Sequence, residues 1–216
     1  PELLINEFIT QGSGNHPDLV ELFAVSGGNP AGVCLYRGTP SNWDSRMILP
    51  ELSCEAGDYI LIHFKPEGIA SEVDETTAKD ESGGLDASDE AWDFWVLDGS
   101  GLSGNNDVLS LCSSPGGAYL DCVIYSNRTS ASDEDYRGFG SRRMMERVDE
   151  VTAAGCWEIR GEFAAPEDAV NPEDSTSTRS ICRSSSSVDT DSNADWHIVP
   201  TRGSTFGIRN IDDIYQ

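Results

Sequence analysis

Ile5-Asn6-Glu7-Phe8 and Asp18-Leu19-Val20-Glu21-Leu22-Phe23 interleave apolar and polar side chains, the pattern of strands that turn one face to a core. The far end repeats it in Trp196-His197-Ile198-Val199, ahead of Pro200-Thr201-Arg202-Gly203-Ser204 and Asn210. Between these ends, Tyr59-Ile60-Leu61-Ile62-His63-Phe64 is apolar on both faces except at His63, so it reads as a central strand. Further short strands are expected at 32–36, 47–49, 92–96, 107–112, 119–125 and 178–183. Those at 107–112 and 119–125 should run antiparallel around Ser113-Ser114-Pro115-Gly116-Gly117. Many short strands separated by turn signals predict an all-β sandwich.

Two stretches depart from that pattern. Residues 66–93 change abruptly to Glu, Asp, Ser, Thr and Gly, which predicts a long, solvated acidic loop. In 133–154, Arg142, Arg143, Met144, Met145, Val148 and Val151 have helical spacing, with Ser141 as N-cap and Gly155 as the stop. One inserted α-helix, with the methionines packed on the core, is expected there. Another loop runs over 164–177.

The chain has 216 residues, 38 acidic against 14 basic, for a formal charge of −24. Such a surface repels nucleic acid and anionic membranes, so neither is an expected partner. No stretch approaches the about 20 apolar residues of a spanning helix. Six dispersed cysteines, Cys34, Cys54, Cys112, Cys122, Cys156 and Cys182, contain no C-x-x-C pair. In an acidic, Gly/Ser-rich chain they predict disulfides and an extracytoplasmic location. Cys112 with Cys122 across a hairpin, Cys156 with Cys182 around an insertion, and Cys34 with Cys54 is one of many possible pairings.

Taken in order, the strands resemble the lamin-tail domain, an immunoglobulin-like β-sandwich of lamins and many exported bacterial proteins. Asp18-Leu19-Val20-Glu21-Leu22-Phe23 is similar to that family's D-W-V-E-L-Y/F strand, with Leu19 in place of Trp. Pro30-Ala31-Gly32-Val33-Cys34-Leu35 follows its L-x-G-W-x-L, again without the Trp. Residues 52–62 resemble L-x-P-G-x-Y-L-V-L, residues 105–111 G-D-x-V-x-L, and residues 120–125 V-D-x-V-x-Y. Thr178-Arg179-Ser180-Ile181-Cys182-Arg183 resembles x-R-S-x-x-R, and Asp195-Trp196 with 201–204 and Asn210 the closing D-W…T-P-G-x-x-N. The resemblance spans nearly the whole chain. It implies one immunoglobulin-like sandwich of lamin-tail type over 1–216, with insertions at about 66–92 and 129–177. The family shares no catalytic residues. The implied role is an exported module for binding, adhesion or scaffolding, sometimes attached to a hydrolase.

The candidate metal site is Asp189, Asp191, Asn193 and Asp195, whose oxygen side chains at every second position match the first half of a calcium loop. Ala194 and Pro200 then stand where an EF-hand needs Gly and Glu, so any calcium geometry is a different one. For ligand binding, Trp92 and Trp95 flank the strand after the acidic loop and are the aromatics to stack on a sugar or peptide. For catalysis the chain is poor: His16, His63 and His197 have no ligand spacing, and no G-x-S-x-G or phosphate-cradling loop is present. The expected function is therefore a non-catalytic, calcium-stabilised binding module for protein or carbohydrate at a cell surface. The alternative is a hydrolase, of nuclease, phosphatase or glycosidase type, or its accessory domain.

Overall fold

Strand β1 (Leu3–Ile9) lies antiparallel to β2 (Leu19–Ala24), from Leu3 opposite Ala24 to Ile9 opposite Leu19, with a bulge between Ile5 and Glu7. This pair is the centre of a computed structural model that describes residues 1–216. β3 (Cys34–Thr39), β4 (Asn42–Ile48), β5 (Tyr59–His63), β6 (Trp92–Trp95), β7 (Asn106–Cys112) and β8 (Tyr119–Ser126) follow. Then come a helix, α1 (Arg142–Ala153), and two short strands, β9 (Ile181–Arg183) and β10 (Trp196–Ile198). The fold is mostly β. Six strands form one sheet in the order β10-β9-β1-β2-β5-β6, and four form the other in the order β4-β3-β7-β8.

The strand period, reset in β1 by the bulge after Ile5, decides which side chains meet. Ile5, Phe8, Val20, Leu22, Ile60, Ile62 and Phe94 of the larger sheet share one core with Leu35, Leu109, Leu111, Val123 and Tyr125 of the smaller. The rings of Phe8 and Tyr125 meet across the layers, 5.6 Å between centroids. The smaller sheet's other face carries Val108, Cys112, Cys122 and Ile124, and α1 lies over it with Met144, Val148 and Val151 buried. The Ser141 hydroxyl accepts the Met144 N–H and caps that helix, and Gly155 follows it at φ +74°. Arg147, buried on the same helix, pairs with Asp107 at 2.5 Å and Asp44 at 2.8 Å, pinning α1 to the sheet's edge.

Three expectations change. The strand expected at 47–49 is the end of a longer one that starts at Asn42, and the one expected over 178–183 is ordered only from Ile181. The acidic loop is not simply solvated. It is the crossover that parallel β5 and β6 require, and its Glu75 is fully buried. The Glu75 carboxylate accepts the N–H of Asp93 at 2.8 Å, and Asp74 accepts that of Trp95 at 2.8 Å. Carboxylates thus satisfy the outer edge of β6, which would otherwise offer unpaired backbone donors.

Candidate functional site

The Asp189–Asp195 loop joins β9 to β10, and an arginine occupies its centre. Arg183, fully buried, places Nη1 3.0 Å from Asp189 and 3.2 Å from Asp195, and Nη2 3.1 Å from Asp121 on β8. Its Nε donates to the Ile5 carbonyl, and the guanidinium lies 4.6 Å from the Trp196 ring centroid. Asp195 also accepts the N–H and hydroxyl of Thr190, both at 2.7 Å. Asn193 turns away and donates to the carbonyls of Glu167 and Ala169. The four predicted ligands therefore do not all converge: Asn193 leaves the set and Asp195 turns to Thr190 and Arg183. The loop closes around a side chain that already supplies the positive charge.

What does converge is Asp121, Asp189 and Asp191, with one carboxylate oxygen each within 4.8 Å of the others. Burial, more than the charge of Asp189, raises the Asp191 carboxyl above the usual range. Burial pushes Asp121 up to about 7 against the pull of Arg183. A divalent ion here would compete with the guanidinium for Asp121 and Asp189.

A second polar seam runs across the outer face of the six-stranded sheet. Glu7 and Glu21 stand opposite each other on β1 and β2, both fully buried under the C-terminal segment. Glu7 accepts the Thr205 N–H at 2.9 Å and hydroxyl at 2.7 Å, and Glu21 accepts the Gly207 N–H at 2.7 Å. Asn6 bridges Glu21 and Asn210. Burial raises both carboxyls, and the neighbouring Glu7 charge raises Glu21 further. His63 and Asp93 form a third buried pair, Nε2 to Oδ1 2.5 Å, with Trp95 stacked on the imidazole at 3.8 Å. Neither member reaches solvent, so this pair has no access to a substrate.

Trp92 and Trp95 are not free to stack on a ligand. Trp92 donates to Asp58 and lies beneath Lys79, and Trp95 donates to Ser82 of the acidic loop. They are buried anchors for that loop, which corrects their assignment as binding residues. The exposed tryptophan is Trp43 on β4, 42% accessible and stacked with Arg46.

The six cysteines are all free and buried. None of the suggested pairings fits the register. Cys112 stands opposite Tyr119, and Cys122 opposite Ser110. Cys156 contacts the outer face of the smaller sheet through Cys122, whereas Cys182 faces His197 on the outer side of the larger one. Cys34 is opposite Cys112, and Cys54 sits beside Gly28.

The widest cleft, about 630 Å³, opens between the end of β10, the 166–174 turn and the C-terminal segment. Arg128, Arg160, His197, Ile214 and Tyr215 line it together with Glu167 and Asp174. Glu167 is held by the Ser130 N–H and hydroxyl, at 2.8 and 2.6 Å. His197 Nε2 is 2.9 Å from the Ile211 carbonyl. Asp174 alone remains an unengaged, exposed carboxylate. One carboxylate does not make an acid–base pair, while arginines beside a tyrosine make a surface for stacking and hydrogen bonding. The sequence reading missed this cleft because its residues come from five separate segments. They share no sequence signal, because arginine supplies 12 of the chain's 14 basic residues and Arg128 and Arg160 do not stand out among them.

A family model designated TP_1001_2nd, described as "protein second domain", matches residues 1–198. No curated protein matches the chain. Among solved structures, a DUF4876 family protein from Bacteroides thetaiotaomicron VPI-5482 is similar over 93% of this chain and 68% of that one. The two are 13% identical, with a TM-score of 0.43.

Proposed function

The chain belongs to the TP_1001_2nd family, and from that premise we propose that it is a non-catalytic binding module carried by an exported protein. The family's description as a second domain fits a module within a longer chain. The order of strand motifs and the two stacked sheets support an immunoglobulin-like sandwich of lamin-tail type. The lamin-tail resemblance supports an extracytoplasmic setting, with a protein or carbohydrate at a cell surface as the partner.

One observation carries the reading: the titratable groups are spent on internal struts. Arg183 with Asp121, Arg147 with Asp107, and His63 with Asp93 are all buried pairs, and in the cleft only Asp174 is an unengaged carboxylate. Arg128 donates to the Gly138 carbonyl and Arg160 pairs with Asp168, yet both still line the cleft with Tyr215, and it suits a neutral or anionic polar ligand such as a glycan or an acidic peptide. Retention on insoluble cell-surface polysaccharide tests it. The native chain should be retained, and Tyr215→Ala combined with Arg160→Ala should lower retention about tenfold, the loss of about 1.4 kcal/mol. Equal retention of both proteins would remove the cleft from the proposal.

A further inference from the structure

Four of the six thiols gather on one side of the molecule, beneath α1. Cys34 on β3 and Cys112 on β7 stand directly opposite each other on the outer face of the smaller sheet, both fully buried. The neighbouring ladder fixes the geometry. Leu49 donates to the Val33 carbonyl on the β4 side, and Ser113 donates to Ala118 on the β8 side. Cys34 and Cys112 therefore turn their own backbone groups toward each other. Such hydrogen-bonded partners have Cα atoms about 5.5 Å apart, inside the Cα span that a disulfide bridges, and the two strands must draw together for their Cβ atoms to reach its spacing of about 3.5–4.5 Å.

Cys122, on the same face of β8, directs its thiol at the backbone carbonyl of Cys156, 2.5 Å away. A carbonyl oxygen lies close to its own residue's Cβ, so the two side chains are neighbours. No three of the four thiols come within 4.8 Å of one another, so the group is two pairs and not a four-thiolate metal site. Cys54 and Cys182 lie elsewhere, beside the Gly28 carbonyl and the His197 ring, with no cysteine opposite them.

We propose that in its oxidised form this protein carries two disulfides, Cys34–Cys112 and Cys122–Cys156, with Cys54 and Cys182 left as thiols. The first ties the two central strands of the smaller sheet. The second fastens the end of the helical insertion to the edge strand β8, so that α1 cannot lift from the sheet. The oxidant is a carrier disulfide, a thiol–disulfide oxidoreductase or a small-molecule disulfide. One cysteine thiolate attacks it and releases one carrier thiol, and the second thiolate then displaces the other from the mixed disulfide. Each bridge thus consumes one carrier disulfide and yields two carrier thiols, with the two protons passing to them. Burial opposes thiolate formation in the folded state and pushes Cys112 up to about 12. The bridges therefore form during folding, before α1 closes over the face.

The inference stands on cysteine geometry and holds whatever the module binds. To test it, the reduced, unfolded chain is refolded in a mixture of reduced and oxidised glutathione. Free thiols are then alkylated, and proteolytic peptides are mapped by mass spectrometry without reduction. Peptides joined 34–112 and 122–156, with Cys54 and Cys182 alkylated, are the expected result. Six alkylated cysteines in refolded protein overturn it, as does any bridge joining Cys112 to Cys122 or engaging Cys54 or Cys182. In Cys122→Ala the 34–112 link should persist and Cys156 should become alkylated. A bridge from Cys156 to Cys112 in that variant would contradict the pairing.

Discussion

Arg183 Nη2 lies 3.1 Å from Asp121 Oδ1, and with that contact β9 of the six-stranded sheet is tied to β8 of the four-stranded one. Both side chains are fully buried, and the Asp121 carboxylate also accepts the Ile5 N–H at 2.7 Å. Removing one partner of such a pair strands the other charge in the core. Arg183→Met is expected to destabilise the fold by about 3–5 kcal/mol. Adding Asp121→Leu should recover part of that loss, because the Asp121 carboxylate is no longer stranded, while Asp189 and Asp195 still lack their cation. Urea unfolding of the two single variants and the double variant measures both terms; additive losses would contradict the strut.

The raised carboxyls fix the sign of the pH dependence. Glu7, Glu21 and Asp121 all hold their protons more tightly in the folded chain than in the unfolded one, chiefly through burial. Their contribution is fully present below the ordinary carboxylate range, near pH 4, and is lost as pH rises through the folded values, about 7 for Asp121. Each group costs on the order of 1.4 kcal/mol per pH unit while it titrates. Between pH 5 and 8 the unfolding midpoint should therefore fall. It should still fall in 0.5 M salt, which screens the self-repulsion of the −24 surface but not these buried groups. A profile that becomes flat in salt would assign the effect to the surface instead.

The acidic insertion shields the edge of β6. Glu75→Ala with Asp74→Ala strips the acceptors from the N–H groups of Asp93 and Trp95. A loss of about 1–3 kcal/mol for each buried donor left unsatisfied is expected. An uncovered strand edge also pairs with other copies, so sedimentation velocity should show concentration-dependent association that the native chain lacks. A monomeric, fully stable double variant would return the loop to a solvated spacer.

Calcium should not matter to stability. Arg183 already supplies the positive charge that Asp189 and Asp195 face. Millimolar calcium and EDTA should give the same Tm. A rise of several degrees with calcium, absent in Asp189→Asn, would establish a site that competes with the arginine.

Particular residues show what the sequence made legible. The pattern around Glu7 and Glu21 made two strands legible, though not that they pair with both carboxylates on the face away from Phe8 and Leu22. It gave no sign that the face is covered, because the cover arrives from Thr205, Gly207 and Asn210 nearly two hundred residues later. Asp189, Asp191 and Asp195 carried the right signal of inward-facing oxygens, but the cation they meet is Arg183, whose approach depends on β9 lying beside β1. The composition of residues 66–93 suggested solvation because it is silent about backbone donors, and those donors are what Asp74 and Glu75 satisfy. Trp92 and Trp95 were read as free for the same reason. The loop that buries them has no periodicity to announce that it packs.

On the proposed function, the charged groups of this chain hold it together and leave a surface for binding rather than for chemistry. A turnover assay of the purified chain with an aryl phosphate, aryl glycosides and plasmid DNA, with and without divalent metals, tests it most directly. No turnover above buffer is expected for any of them. Turnover that co-purifies with the chain and disappears in His197→Ala or Asp174→Asn would contradict it and place an active site in the Arg128–Tyr215 cleft.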